Sequence, residues 1–456
     1  MSADNIMNPL ETIFINLWNR CMSRSAAKLT GGLPLGHIVL DEQTSKALYY
    51  VPTALLAQHI AILGKTGQGK SYLIRHMAQH QIDAGRGFAL FDLHGDLIPP
   101  LLRYIVAKRP GDAHRIVVID PSDRNWAVGL NPLEVADDSS RFREAAELTR
   151  TLADRWDFKG ARTEELLRNS LFVLSANSQT LLEIPYLLSD DTYREQLGKK
   201  VANQDVREYF ELRFNPLSDS MKATMREPVL NKLSEFTADP HYRYILGQRK
   251  STISLDTILN DGMILLVNLK KGSLGPHALT LGSLIMTKLK SAIFRKKSRE
   301  IFTIFADEVQ NLASADADFE TLFSEARKFS VSIITANQYQ GQTTASLRSA
   351  IQAISTRIFF QLSPEDAAQV ANDIDGGKAM AERLRRLPAR HIIVRSGQYR
   401  AQELVTLDVE TVNNSADAFL AESNRIHARL RTDIDADIRQ RRPSNKSAEE
   451  ALHEWE

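Results

Sequence analysis

Eight residues, Gly64-Lys65-Thr66-Gly67-Gln68-Gly69-Lys70-Ser71, follow directly on the apolar run His59-Ile60-Ala61-Ile62-Leu63. They fit G-x-x-x-x-G-K-[ST], a glycine-rich turn whose backbone N–H groups surround phosphate oxygens. Its lysine brings a point charge to the phosphates, and its serine hydroxyl is a ligand for Mg2+. A strand has to deliver the chain to such a turn, and a helix has to begin at Lys70 so that its positive end also faces the anion. Tyr72 to Ala78 supplies that helix and Gly85 ends it. The chemistry expected is nucleotide binding through Gly64, Thr66, Gly67, Gln68, Gly69, Lys70 and Ser71, with ATP and Mg2+ as the ligands.

Binding is not hydrolysis, which also needs a carboxylate for the metal and a base for water from a neighbouring strand. Ile301 to Ala306 is a largely apolar run ending in Asp307-Glu308, at the strand end where open α/β sheets place ligands. Asp307 is expected to hold Mg2+ through water, opposite Ser71, and Glu308 to polarise the attacking water. The next strand, Val331 to Thr335, ends in Ala336-Asn337-Gln338. An amide there fits either a γ-phosphate sensor or an ordinary turn. Arg327 lies between these two strands. It fits a cation that reaches a neighbouring subunit's site, although an exposed surface cation is the plainer reading of the residues alone. In Phe91-Asp92-Leu93-His94-Gly95-Asp96-Leu97, Asp92 falls at the ligand edge and Asp96 is placed to cap the following helix. His94 has no second His or Cys at ligand spacing, so a loop role is expected rather than zinc.

These residues require a sheet to hold them. Apolar runs at Gly87–Asp92, Arg115–Asp120, Gly262–Leu269, Ile301–Ala306, Val331–Thr335, Arg357–Gln361 and His391–Arg395 alternate with helical periods, the pattern of a mainly parallel sheet covered on both faces. Between Asp120 and Gly262 the periodicity is helical, which predicts an all-α domain inserted into the sheet domain. The expected divisions are 1–35, an N-terminal helical segment; 36–133, the first part of the sheet domain; 134–250, the all-α insertion; 251–410, the second part; and 411–456, a charged helical tail. A long helix over Gly275–Lys297 ends in Lys288, Lys290, Arg295, Lys296, Lys297 and Arg299, read as a solvated C-terminal end. With 43% hydrophobic residues the chain of 456 can bury a large core. Its net charge of +1 announces no polyanion partner, so any basic surface has to be local. The single cysteine, Cys21, suits a reducing compartment. Nothing before Gly36 is apolar enough to span a bilayer.

Taken together, several segments resemble one family. The phosphate loop, Asp92 to Asp96, Ile119-Asp120-Pro121, Gly129-Leu130-Asn131-Pro132-Leu133, Asp307-Glu308-Val309-Gln310-Asn311, Glu325-Ala326-Arg327-Lys328 and Asn337-Gln338 are similar to conjugative DNA-transfer ATPases. These are the type IV secretion coupling proteins and their soluble relatives in the HerA/FtsK superfamily. The resemblance runs from about Gly36 to Leu407. It implies an α/β, RecA-like P-loop ATPase that assembles as a homo-oligomeric ring, usually a hexamer, and moves DNA, single- or double-stranded, through its centre. On that mapping Gln338 is the nucleotide sensor and Arg327 the trans-acting arginine, while the insertion faces the DNA entry side and the relaxosome. Leu93 stands where the family often has proline. The missing spanning helices point to a cytoplasmic protein, peripheral at the inner membrane through a separate partner or a secretion channel. The alternative is a nucleotide-dependent scaffold, or a HerA-like DNA-processing or defence ATPase, that recruits a nuclease or a membrane partner.

Overall fold

The computed structural model describes residues 32–158, 160–312, 316–338, 344–397 and 399–441. The segment 1–31, with Cys21 and most of the expected N-terminal helix, lies outside them, as does the tail beyond 441. In chain order the strands are β1 (Leu33–Leu40), β2 (Gln43–Val51), β3 (Ile60–Leu63), β4 (Phe88–Asp92), β5 (Ile116–Ile119), β6 (Trp126–Ala127), β7 (Ile264–Asn268), β8 (Phe302–Asp307), β9 (Val331–Asn337), β10 (Thr356–Phe359), β11 (His391–Ser396), β12 (Gln402–Thr406) and β13 (Arg429–Leu430). Eleven of them form one sheet in the order β2-β1-β12-β11-β10-β3-β9-β8-β4-β7-β5, and β6 pairs with β13. From β10 to β5 every neighbouring pair is parallel. The four strands on the other side of β10 are antiparallel.

Both faces of the parallel part are buried, and the strands are divided accordingly. In β4, Phe88 and Leu90 enter one core while Ala89 and Phe91 enter the other; in β7, Ile264 and Leu266 oppose Leu265 and Val267 in the same way. This is the two-residue period of a strand with no solvent face. One face is covered by α1 (Lys70–Asp83) and α2 (Ile98–Lys108) through Leu73, Ile74, Met77, Leu101 and Ile105. The other carries a run of helices between β6 and β7, among them α3 (Arg141–Arg155), α4 (Ala161–Ala176) and α5 (Asp219–Ala238), followed by α6 (His277–Ile293). Leu148 and Leu152 of α3 share one continuous core with Leu284 and Ile285 of α6. Beyond β8 the chain continues through α7 (Asp316–Glu325), and after β12 through α8 (Asp417–His427).

Two expectations need correction. The cations near the end of α6 do not all lie in solvent. Lys288 and Lys290 are buried against Glu144 and Glu147 of α3, and Arg295 pairs with Asp256 at 2.9 Å. Lys296 is buried too, with Nζ donating to the Ser298 and Glu300 carbonyls, which leaves Lys297 and Arg299 as the exposed members. Packing of α3 on α6 supplies the partners of Lys288 and Lys290, a tertiary effect absent from the α6 sequence. The helix after β4 is capped by Asp92 rather than by Asp96. Asp92 Oδ1 accepts from the N–H of His94 and Gly95, and Oδ2 from those of Leu97 and Ile98. A carboxylate at the end of a buried strand meets four free N–H groups where the chain bends into α2, and satisfies them all.

Candidate functional site

β3 ends at Leu63 and the chain turns at once into the glycine-rich loop. The N–H of Gly64 donates to the Asn337 carbonyl at 3.2 Å, and that of Lys65 to the Gln361 carbonyl at 3.0 Å. A Cβ on Gly64 would fall 2.4 Å from Phe360 Cβ, so the loop can lie this close only as glycine. Gly69, at φ +112°, is the N-cap of α1, and the unpaired N–H groups of the first helical turn open into the loop. Lys65, Thr66 and Gly67 are exposed, and Gln68, Gly69 and Ser71 partly so. Lys70 is nearly buried, its Nζ donating to the carbonyls of Gly64 at 2.7 Å and Lys65 at 3.0 Å. Burial pushes its pKa down, and the nearby charges of Asp307 and Glu308 oppose that fall.

β9 lies between β3 and β8, so its tip separates the glycine-rich loop from the acidic pair by one strand. Asp307 closes β8 with a buried side chain, 6% exposed. Burial pushes its carboxyl up to about 6, and His94 and Lys70 lower it less than burial raises it. A carboxylate so costly to ionise is one that a bound cation would relieve. Glu308 follows in the left-handed conformation, φ +52°, which turns the chain sharply away from the strand. Its N–H donates to the Ala336 carbonyl at 2.8 Å. Its Oε1 accepts from Gln338 Nε2 at 2.8 Å and its Oε2 from Asn311 Nδ2 at 2.7 Å. Asn337 Nδ2 donates in turn to Gln310 Oε1 at 2.6 Å. The ends of β8 and β9 are thereby zipped together by side-chain amides.

The structure brings together the glycine-rich loop, Lys70, Asp307, Glu308 and Gln338. Their charges act on one another, and the exposed loop leaves room for phosphates, so the donor set fits a nucleotide and its Mg2+. Beside Glu308 a cleft of about 520 Å³ is lined by Leu93, His94, Lys270, Lys271 and Asn311. His94 Nε2 stands 4.0 Å from Glu308 Oε1, so the loop that Asp92 holds reaches over the acidic pair. Arg327 is elsewhere. It is exposed, in the turn Ala326–Phe329 that enters β9, at the opposite end of the strands and about 20 Å away by the length of β9. His59 fastens that turn: its Nε2 bonds the Phe323 carbonyl at 2.7 Å, and its Nδ1 accepts from the Ile333 N–H at 3.0 Å. Burial pushes the ring's pKa down to about 4, which keeps it neutral.

Three contributors escaped the reading of functional residues. Asn311 was part of the resemblance only, although its spacing of three from Glu308 is what a tight turn needs for the two side chains to meet. Arg390 donates its N–H to the Gln68 carbonyl at 3.1 Å, and its guanidinium lies 5.0 Å over the Tyr72 ring. It comes from the start of β11, more than 300 residues from the loop it supports, and nothing local signals it. Asp92 was placed at the ligand edge without its role as a clamp.

Residues 33–268 match the family model described as the central domain of the helicase HerA. No protein of curated function matches the chain significantly. Among solved structures, the plasmid coupling protein TrwB in complex with the ATP analogue ADPNP superposes with a TM-score of 0.60 at 16% identity, over 84% of this chain and 97% of that one. TrwB in complex with ADP and Mg2+ gives 0.59 at 14%, over 85% and 98%. VirB4 of Thermoanaerobacter pseudethanolicus gives 0.55 at 14%, over 83% and 97%. At such identities the likeness is one of fold, the α/β architecture of RecA-like P-loop ATPases.

Proposed function

This chain belongs to the family of the HerA helicase central domain, and we propose that it is an ATP-hydrolysing DNA translocase of the conjugative coupling kind. The observation that carries this reading is the acidic pair. Asp307 is buried at the phosphate side of the sheet, and Glu308 stands beside it with its carboxylate oriented by two amides. A protein that only bound nucleotide would have no use for a held base next to a metal ligand.

In this mechanism the backbone N–H groups of Thr66 to Ser71 take the phosphates, and Lys70 exchanges the carbonyls of Gly64 and Lys65 for phosphate oxygens. Mg2+, held by Ser71 and through water by Asp307, would neutralise charge on the transferring phosphoryl group. Glu308 orients the attacking water and accepts its proton. Gln338, which bonds Glu308 here, is within reach of both the base and the phosphate side, and so serves as the sensor. Arg327 cannot serve its own site across the sheet, and its exposure supports action on a neighbour in a homo-oligomeric ring, a hexamer in the family's pattern. We assign 36–133 and 251–410 to the ATPase core, 134–250 to the helical insertion, and 1–35 and 411–456 to the terminal segments.

The family's helicase description and the likeness to coupling proteins support DNA as the substrate, held by its phosphates without regard to sequence. Among the described residues no helix is long and apolar enough to cross a membrane, and we place the protein at the cytoplasmic side, joined to a relaxosome or secretion channel through a partner. Displacement of a bound oligonucleotide from single-stranded and triplex substrates tests translocation. ATP-dependent displacement by the wild type, absent in Glu308→Gln, is expected. Hydrolysis without displacement on either substrate would favour the scaffold reading.

A further inference from the structure

The helical insertion touches the turn that carries the base. Arg155 closes α3, and its guanidinium reaches across to the ATPase core. Its Nη2 donates to the Asn311 carbonyl at 2.6 Å and its Nε to Ser283 Oγ at 2.8 Å. The Ser283 hydroxyl passes its own proton on, to the Leu312 carbonyl at 3.0 Å. Two successive carbonyls of the turn beyond Glu308 are therefore held, one by the insertion and one by α6. Asn311 completes the chain of contacts, with its N–H on the Glu308 carbonyl at 2.8 Å and its Nδ2 on Glu308 Oε2 at 2.7 Å. Close packing supports the polar chain: a Cβ on Gly282 would fall 2.7 Å from Leu312 Cδ2, and Thr151 and Thr287 hydroxyls bridge α3 to α6 at 2.9 Å.

We propose that Arg155 is a positioning residue for hydrolysis: from the inserted helices it holds the Val309–Asn311 turn and, through Asn311, fixes the carboxylate of Glu308. The physical logic is one of rigidity. Glu308 sits on a left-handed residue followed by a single short turn, which alone leaves the carboxylate free to swing, and a misplacement of about 1 Å at such a group costs about a hundredfold in rate. The planar fork of an arginine binds two acceptors in fixed directions, which a lysine cannot reproduce. The insertion is thus wired to the base, so a partner that shifts α3 would alter turnover without touching the nucleotide.

The inference rests on Glu308 being the base, and the test separates the two. Steady-state kcat and KM for ATP are measured for Arg155→Lys, Asn311→Ala and the double variant. Each single change is expected to lower kcat about tenfold with KM for ATP within about twofold, because the lost interaction acts on the transition state and not on nucleotide binding. The double variant should be no worse than the weaker single one, since both break the same chain of contacts. Should Arg155→Lys fail to fold, Ser283→Ala takes its place in the cycle. Folded variants with unchanged kcat, or losses that multiply, overturn the proposal. Glu308→Gln is the control: if it turns over normally the base assignment has failed, whereas if it is inactive and the cycle is additive only the Arg155 link has failed.

Discussion

Asp307 and Glu308 are consecutive residues in opposite situations. Asp307 is enclosed, and ionising it works against burial; Glu308 is turned out of the strand and held by neutral amides. On the proposed mechanism Glu308→Gln keeps ATP affinity, measured by calorimetry, and lowers kcat by about a hundredfold or more, the usual scale for loss of a general base. Lys70→Ala should lose nucleotide binding itself, since no other ammonium comes from the loop's helix. Asp307 also carries a pH-dependent cost. Its carboxyl is raised from 3.8 to about 6 in the folded protein, so its contribution to stability is complete below the unfolded value and is lost as pH rises through about 6. At pH 7.5, without nucleotide or Mg2+, Asp307→Asn should therefore stabilise the fold by up to about 3 kcal/mol, read by denaturant unfolding, and the gain should vanish near pH 4. A loss of stability at pH 7.5 would contradict the account of Asp307 as a site built for a cation.

At the scale of elements, the loop from β4 to α2 depends on one carboxylate. Asp92→Ala leaves four N–H groups without their acceptor and should cost about 3 kcal/mol, measured as a shift in the denaturation midpoint. A change under about 0.5 kcal/mol would show that water replaces the clamp at no expense. The parallel strands were legible because burial on both faces writes them as unbroken apolar runs such as Phe88-Ala89-Leu90-Phe91. On the antiparallel side β11 was legible as His391–Arg395, but β1, β2 and β12 were not. β1 contains Pro34 and Gly36, β2 reads Gln43-Thr44-Ser45-Lys46 before its apolar half, and β12 mixes Gln402 and Glu403 with Val405. Their partners are set by pairing, not by pattern. The acidic pair and the glycine-rich loop could be read from the chain, since each is contiguous. The links among them could not: Arg155 to Asn311 spans 156 residues, and Asp92 does its work through backbone groups that carry no residue type.

For the molecule as a whole, the sheet separates two surfaces that the proposed mechanism brings together. The candidate nucleotide site is at one end of the central strands, and Arg327 is exposed at the other. In the proposed ring of identical subunits each copy would offer its arginine to the next. Mixing Arg327→Ala with Lys70→Ala should then restore hydrolysis at interfaces that pair an intact loop with an intact arginine, to about a quarter of wild-type activity for random assembly. No recovery on mixing would argue against action in trans. The central claim, that hydrolysis is coupled to DNA, is tested most directly by steady-state ATP hydrolysis at low salt, with and without single- and double-stranded DNA, where phosphate contacts are not screened. Stimulation by at least one form of DNA, abolished in Glu308→Gln, is the predicted result. Hydrolysis that depends on Glu308 yet is indifferent to both forms would contradict it.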